Sequence, residues 1–383
     1  MREVLISDIM NEHKKYWMER MITLSLLSAQ INEPMKKLAQ QIFEAHFERD
    51  PKLHEEYDDH RKMLMYDDIL YNMGYLETAM RFDDSKIFTD YAVWLYQLLC
   101  HLMKDIGRER LKDQMVDHYQ ILKQTLSHVL PSETGIQLAG FIDAAIEVTE
   151  KESLNFQKNL RFHSGRHIDI RHQYLYRLME NDTRGAIDVI RKAADEGIEM
   201  EEIYLDVLQE VMVEVGDLWH RNEISVDREH YCTSTTQVAL SQFYPRIFSK
   251  PRNGYKILTC CVGSELHEMG VRMVSDLFEY HGWDSVYLGA AVPVESIINA
   301  IREHRPDLVG LSVTMPHYLG LCHEVTVAIR KEFPYLKIAV GGRAFQMTSD
   351  VWRKWDVDIY TENASLLLEW ATKTILFKGD VKV

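Results

Sequence analysis

A change of pattern near Pro251 does most to limit what this chain can fold into. Upstream, apolar residues recur at the three-and-four spacing of amphipathic helices, as in Leu70, Met73, Leu76 and Met80, or Leu95, Leu98, Leu99 and Met103. Downstream, short apolar runs at 255–262, 285–289, 308–314, 336–341 and 357–360 alternate with helical patterns near 268–281, 294–304, 318–332 and 347–355, and from Ala364. Continuous apolar strands separated by helices require a parallel sheet covered on both faces, because each βαβ crossover lays a helix against the sheet. Residues 251–383 are therefore predicted to form a Rossmann-like (flavodoxin-like) domain with a five-stranded parallel sheet. Such a sheet takes its ligands outside the carboxyl ends of its strands.

The helical part divides in two. Residues 1–155 read as an all-α N-terminal domain, with Asp83 or Asp84 as the cap of a helix starting near Ser85, and Pro131 with Ser132 as a break before a helix at Thr134. The stretch 156–170 loses its periodicity, contains Gly165 and reads as a connector. Residues 171–250 read as a small four-helix bundle: a helix through Tyr174 to Met179, another to Ala194 closed by Gly197, then Glu201 to His220 and Val226 to Phe248. The fold class is α + α/β.

Charge and cysteine usage exclude several functions. The 383 residues hold 44 Lys+Arg against 59 Asp+Glu, a formal charge of −15, with no dense basic block, so direct nucleic-acid binding is disfavoured. The first residues carry charges where a signal peptide needs an apolar core, and no run reaches the length of a membrane span. A cytosolic chain is expected, with no membrane partner. Five cysteines without a Cys-x-x-Cys pair argue against a disulfide framework or a thiolate zinc site.

Chemistry concentrates at the strand ends. After the first strand the chain reads Glu265-x-His267-x-x-Gly270, on the loop that enters a helix. An imidazole offered from such a loop, with a carboxylate two residues earlier to fix its tautomer, suits a transition metal. Alone, so short a triplet recurs by chance, and a loop histidine is commonly a surface residue. Ser312-Val313-Thr314 ends the third strand and Gly341-Gly342 the fourth, so all three motifs converge on one carboxyl edge. Taken singly, Ser312 reads as a packed strand residue and the glycines as a βα turn. Together they leave a slot for a long, flat-sided ligand, with hydroxyls for its polar groups. In the bundle, Trp219-His220 is followed by Glu229-His230, with nine residues between Trp219 and Glu229. A core tryptophan and an exposed charged pair are the ordinary reading of that segment.

These motifs resemble the signature of cobalamin-binding domains, whose usual form is Asp-x-His-x-x-Gly, Ser-x-Leu, Gly-Gly. The resemblance implies that His267 replaces the cofactor's benzimidazole as lower axial ligand to cobalt, with Glu265 as its partner. Gly270, Ser312, Thr314, Gly341 and Gly342 would line the slot for the nucleotide tail. Glutamate for aspartate adds a methylene to that contact, and Thr314 departs from the usual leucine. The Trp-x9-Glu-His segment is similar to the mark of the helical cap in CarH-like and LitR-like cobalamin-dependent photoreceptors. By that resemblance the cap covers the upper face of adenosylcobalamin, with Trp219 against the adenosyl group and Glu229 and His230 bonded to its hydroxyls. His220 would take the cobalt once light has removed the adenosyl group. A shift of the bundle and a light-dependent homo-oligomer are expected.

CarH-like repressors carry a basic helix-turn-helix module before the cap, and the acidic 1–155 region does not resemble one. Its texture is similar to the helical region that precedes cobalamin modules in photocobilin-like proteins, which hold biliverdin as a second chromophore. Tyr66, Tyr71, Tyr75, Phe82, Phe88, Tyr91, Trp94 and Tyr96, with His54, His60 and His101, are the raw material for such a site. Aromatics at helical spacing usually form core, yet a planar ligand needs the same wall. Cys100 lies in an apolar run, so covalent attachment is not expected.

The expected function is a noncatalytic light sensor with adenosylcobalamin, paired with biliverdin, whose downstream partner is open. A corrinoid protein shuttling methyl groups uses the same cap and sheet and is the alternative. The Trp219, His220 and Glu229-His230 pattern and the long N-terminal domain favour the sensor. The helical remainder has no room for the (β/α)8 barrel of a cobalamin-dependent isomerase. A dinucleotide enzyme would need a G-x-G-x-x-G loop that is missing.

Overall fold

Each strand of the C-terminal region follows the apolar run that encodes it. In the computed structural model, which describes residues 33–129, 132–152 and 161–376, the strands are β1 Lys256–Cys261, β2 Asp284–Tyr287, β3 Leu308–Ser312, β4 Lys337–Gly341 and β5 Ile359–Tyr360. They pair in parallel in the order β2-β1-β3-β4-β5, the doubly wound order whose ligand crevice opens beside β1 and β3. Cys261, Ser312 and Gly341 are register partners, so the first, third and fourth strands end level.

The chain divides into two units, one holding residues up to Leu154 with Met347–Ser349, the other holding the rest. In the first unit the helices are α1 Glu33–Arg49, α2 Leu53–Glu56, α3 Asp59–Phe82, α4 Ser85–Leu102, α5 Arg108–Val129 and α6 Ser132–Lys151. The two candidate caps at the α3–α4 joint divide the work. Asp83 ends α3 in a left-handed conformation (φ 50°), while the Asp84 carboxylate accepts from the Lys86 N–H and starts α4. The interior is aromatic: Tyr75 stacks on Tyr91 at 3.8 Å, and Phe88 meets Tyr119 edge-on at 5.7 Å.

That interior also holds two imidazoles. His46 on α1 and His118 on α5 are buried and stacked, with His46 Nε2 and His118 Nδ1 at 3.0 Å. One ring donates and the other accepts, so the accepting ring must be neutral. Burial, with Arg49 nearby, pushes His46 from 6.5 to about 4, and burial drives His118 well below its ordinary value.

The second unit begins with a cap. Helices α7 Ile168–Met179 and α8 Thr183–Asp195 are followed by α9 Met200–Glu202, a π-helical turn Ile203–Leu208, α10 Gln209–His220, α11 Val226–Ser241 and α12 Tyr244–Ile247. Tyr174, Leu178, Ile190, Tyr204, Val207, Val211 and Leu240 are its fully buried core. The single helix expected over 201–220 therefore contains one wider, under-wound turn. The helix expected over 226–248 stops at Ser241, and Pro245 sits in the first turn of the short α12, where its missing N–H costs nothing. Gly197 follows α8 with φ 92°, as its residue type suggested. Residues 153–160, which take in the end of the expected N-terminal domain and the first part of the expected connector, lie outside the described residues.

Around the sheet lie α13 Met269–Tyr280, α14 Val294–His304, α15 Leu319–Glu332 and α16 Ala364–Ala371. The helix expected over 347–355 is absent. Asp350 adopts φ 65° and accepts from Trp352 Nε1 and Arg353 Nε, and these local bonds leave only 3-10 turns at Arg343–Met347 and Val351–Lys354. Among the described residues no helix is long and apolar enough to cross a membrane.

Gly342 turns the chain out of β4 with φ 99°, and a Cβ there would collide with the backbone of Val313. Replacement Gly342→Ala should cost roughly 3 kcal/mol and lower the melting temperature of the whole chain. A calorimetric scan matching that of the native chain would show that this turn relaxes freely.

The histidine pair sets a pH dependence of opposite origin. Two histidines with depressed folded pKa values stabilise the unit above the unfolded value and lose that contribution as pH falls. Protection of α1 and α5 amides against hydrogen exchange should therefore drop between pH 6.5 and about 4, and the drop should flatten in a His46→Gln, His118→Leu variant.

Candidate functional site

The site grows from one buried carboxylate. The loop after β1 carries Glu265, which is 1% exposed, and the loop's own backbone is pinned by the Ala291 N–H donating to the Glu265 carbonyl at 3.0 Å. Oε1 accepts from His267 Nδ1 at 2.5 Å and from the His267 backbone N–H at 3.0 Å. Oε2 accepts from the N–H groups of Thr314 at 2.9 Å and Met315 at 2.8 Å. Both oxygens are thus filled, and the carboxylate ties the β1 loop to the end of β3. Burial alone would raise its pKa. The hydrogen bonds and charge of His267, with the backbone donors, instead hold it at about 2.

The glutamate side chain, one methylene longer than aspartate, reaches both the histidine two residues on and the backbone just past β3. With Nδ1–H donated to Glu265, the tautomer of His267 is set and Nε2 is the nitrogen left for a ligand. The ring is 61% exposed above a partner that is 1% exposed. Burial opposes its charge, but the Glu265 hydrogen bond and carboxylate outweigh it and raise the pKa, with a smaller push from Glu229. A more basic ring is a better electron-pair donor to a metal.

The other predicted residues fall into three groups. Ser312 ends β3 beside Cys261 and Gly341, and Thr314 enters through its backbone N–H. Gly270 opens the first turn of α13, where a Cβ would meet nothing within 4 Å, which leaves room for a ligand along the loop. Gly341 and Gly342 are constrained by their own surroundings: a Cβ at 341 would lie 3.2 Å from the Thr361 carbonyl, and 342 packs on Val313.

On the cap, Trp219 and His220 are half-buried in the last turn of α10. Asp217 in the same turn is pushed upward by burial and pulled back by Arg343, the residue after the glycine pair. Arg343 is near enough for its charge to reach Asp217, so the end of α10 lies near the chain that leaves β4. Glu229 and His230 pair with each other, Oε2 to Nδ1 at 2.7 Å, and Glu229 Oε1 also accepts from Thr233 at 2.7 Å. Cys100 and the other cysteines are free and buried, and burial pushes the Cys100 thiol up.

Sequence reasoning missed Met315, Arg343 and Asp217. Met315 acts only through its N–H, which no residue type advertises. Arg343 and Asp217 are charged residues of ordinary appearance whose meaning depends on the fold.

Comparison with known proteins gives the same location. Residues 255–365 match the family of B12 binding domains, and residues 170–244 match a second family of that description. The second unit contains a cobalamin-binding module. The chain is 26% identical over 157 residues to the HTH-type transcriptional repressor CarH of Myxococcus xanthus, covering 40% of this chain and 52% of that protein, about half its length. It is 27% identical over 195 residues to dimethylamine corrinoid protein 3 of Methanosarcina acetivorans, covering 50% of this chain and 89% of that protein. Among solved structures, the monomethylamine corrinoid protein of Methanosarcina barkeri aligns with a TM-score of 0.48 at 20% identity, over 54% of this chain and 99% of that one.

The residues present fit a corrin. An imidazole with its Nδ1 anchored, open space at Gly270 and a level strand edge would offer one nitrogen donor and a slot beside it. His267→Ala should weaken retention of hydroxocobalamin by at least tenfold in equilibrium dialysis at a temperature where the variant is folded, and should lower the melting temperature by a few degrees, because the buried Glu265 carboxylate loses its Nδ1 donor. Retention equal to that of the native chain would remove His267 from the site.

Proposed function

We propose that this protein is a light sensor that holds adenosylcobalamin between the cap and the carboxyl edge of the sheet, with His267 as lower axial ligand. When bound, adenosylcobalamin supplies a cobalt–carbon bond that visible light breaks. His267 offers Nε2 while Glu265 keeps its proton on Nδ1. Trp219 supplies a bulky indole that excludes water on the cap side, and His220 beside it supplies a second imidazole for the upper face. Glu229 and His230 provide polar groups for the adenosyl hydroxyls. In this reading the protein is a regulatory homo-oligomer whose assembly responds to light, and it is not an enzyme.

The observation that carries the reading is the closing of α10 by the half-buried Trp219-His220, on a cap whose helix α11 donates Gln237 Nε2 to Glu268, the neighbour of His267, at 3.3 Å. A carrier that serves partner enzymes needs an upper face that opens to them, whereas a sensor needs a covered one. Similarity to CarH supports the first, and similarity over most of the dimethylamine corrinoid protein supports a methyl carrier as the second reading.

We propose biliverdin as a second chromophore of the first unit. Support comes from the resemblance of that region to photocobilin-like proteins and from its stacked Tyr75–Tyr91 pair, next to which Trp94 lies 6.2 Å from Tyr91. The same interior buries His118 Nε2 and Asn72 Oδ1 with no hydrogen-bond partner among the described residues.

Protein reconstituted in darkness with adenosylcobalamin and biliverdin, then exposed to green light, tests this directly. The account expects bands of both chromophores and a lasting change in the corrin bands on illumination. His220→Ala should leave the dark spectrum intact and make the illuminated form decay faster. Identical dark and lit spectra with the cofactor bound would favour the methyl carrier.

A further inference from the structure

Helix α13 begins two residues after His267, with Glu268 as its N-cap residue, and one polar stripe along it is bonded to the cap. Glu268, Arg272, Asp276 and Tyr280 are spaced four residues apart, so they lie on one face. Each meets a different cap residue. Gln237 Nε2 on α11 donates to Glu268 Oε1 at 3.3 Å. Arg272 Nε donates to the Tyr244 hydroxyl of α12 at 3.1 Å. The Tyr204 hydroxyl, in the π-helical turn, donates to Asp276 Oδ2 at 3.1 Å. The Tyr280 hydroxyl donates to Glu199 Oε2, just before α9, at 3.4 Å.

Glu268 is the member of this stripe nearest the site, one residue from His267. Its second oxygen accepts from the Tyr287 hydroxyl at the end of β2, at 2.9 Å. Gly289, with φ 82°, leaves space for that carboxylate, since a Cβ there would stand 3.3 Å from Oε2. The Glu268 carbonyl in turn accepts from the Arg272 N–H at 2.9 Å, which ties this residue to the first turn of α13. One side chain therefore spans the cap helix α11 and the sheet strand β2, and its backbone continues into the axial ligand.

We propose that Glu268 is a positioning residue through which the cap sets the His267 imidazole, with the α13 stripe as the lever that carries cap displacement to the lower ligand. Gln237 pulls on Oε1 from the cap and Tyr287 holds Oε2 on the sheet. When α11 moves, the first turn of α13 moves with it, and His267 changes its approach to the metal. This inference rests on the reading that His267 ligates cobalamin.

The test is a mutant cycle of Gln237→Leu, Glu268→Ala and the double variant, loaded with hydroxocobalamin. The rate of cobalamin release, the fraction of bound cobalamin with histidine on cobalt, and the melting temperature of the unloaded chain are measured. Both single variants should release cobalamin about tenfold faster, with a larger histidine-off fraction and little change in melting temperature. The double variant should be no worse than Glu268→Ala, because the two residues act through one contact. Gln237→Leu removes only a partly exposed side chain, so it reports even where Glu268→Ala fails to fold. Release rates and histidine-on fractions equal to the native ones, or additive effects, would overturn the coupling while leaving the binding reading intact. A native chain that retains no hydroxocobalamin would overturn the binding reading itself, and this inference with it.

Discussion

The site depends on keeping one carboxylate ionised in the interior. Glu265 is almost wholly buried, and a lone charge there would be expelled or neutralised. Two backbone N–H groups from the end of β3 and two donors from His267 fill its oxygens. The same contacts do three things at once. They lock the β1 loop onto β3, fix the imidazole tautomer, and make the ring a stronger donor. None of these would survive loss of the parallel pairing that brings Cys261 and Ser312 level.

Much of this was legible because each feature is carried by residue type. Buried parallel strands read as apolar runs, so β1, β3 and β4 stand out, and the glycine after α8 announces the helix end. The Glu265-x-His267-x-x-Gly270 pattern marks the loop after β1, where the structure brings the buried carboxylate and the imidazole together. What stayed hidden is carried by backbone or by context. The π-helical turn at Ile203–Leu208 continues an ordinary amphipathic period, and its altered bonding leaves no mark on side-chain order. The 347–355 segment has helical texture, but Asp350 diverts it through local hydrogen bonds. The donors at Thr314 and Met315 are main-chain groups, and Gly342 serves packing against Val313 as much as any slot.

The α13 stripe illustrates the same limit. A row of Glu268, Arg272, Asp276 and Tyr280 reads as a solvated helix face until the cap is laid against it. Once the partners are known, the row becomes a polar seam that joins the cap to the helix after His267. Burial makes that seam costly as well as specific: Asp276 is pushed up to about 6, mainly by desolvation.

The central claim is that the His267 nitrogen, rather than the cofactor's own base, binds cobalt. Electron paramagnetic resonance of the protein loaded with cobalamin and reduced to the paramagnetic cobalt state tests it most directly, comparing natural-abundance protein with protein labelled by 15N-histidine. The account predicts that superhyperfine triplets in the natural sample become doublets in the labelled one. Triplets that persist in the labelled sample would show that cobalt is held by a nitrogen from outside the chain's histidines, and would contradict the account.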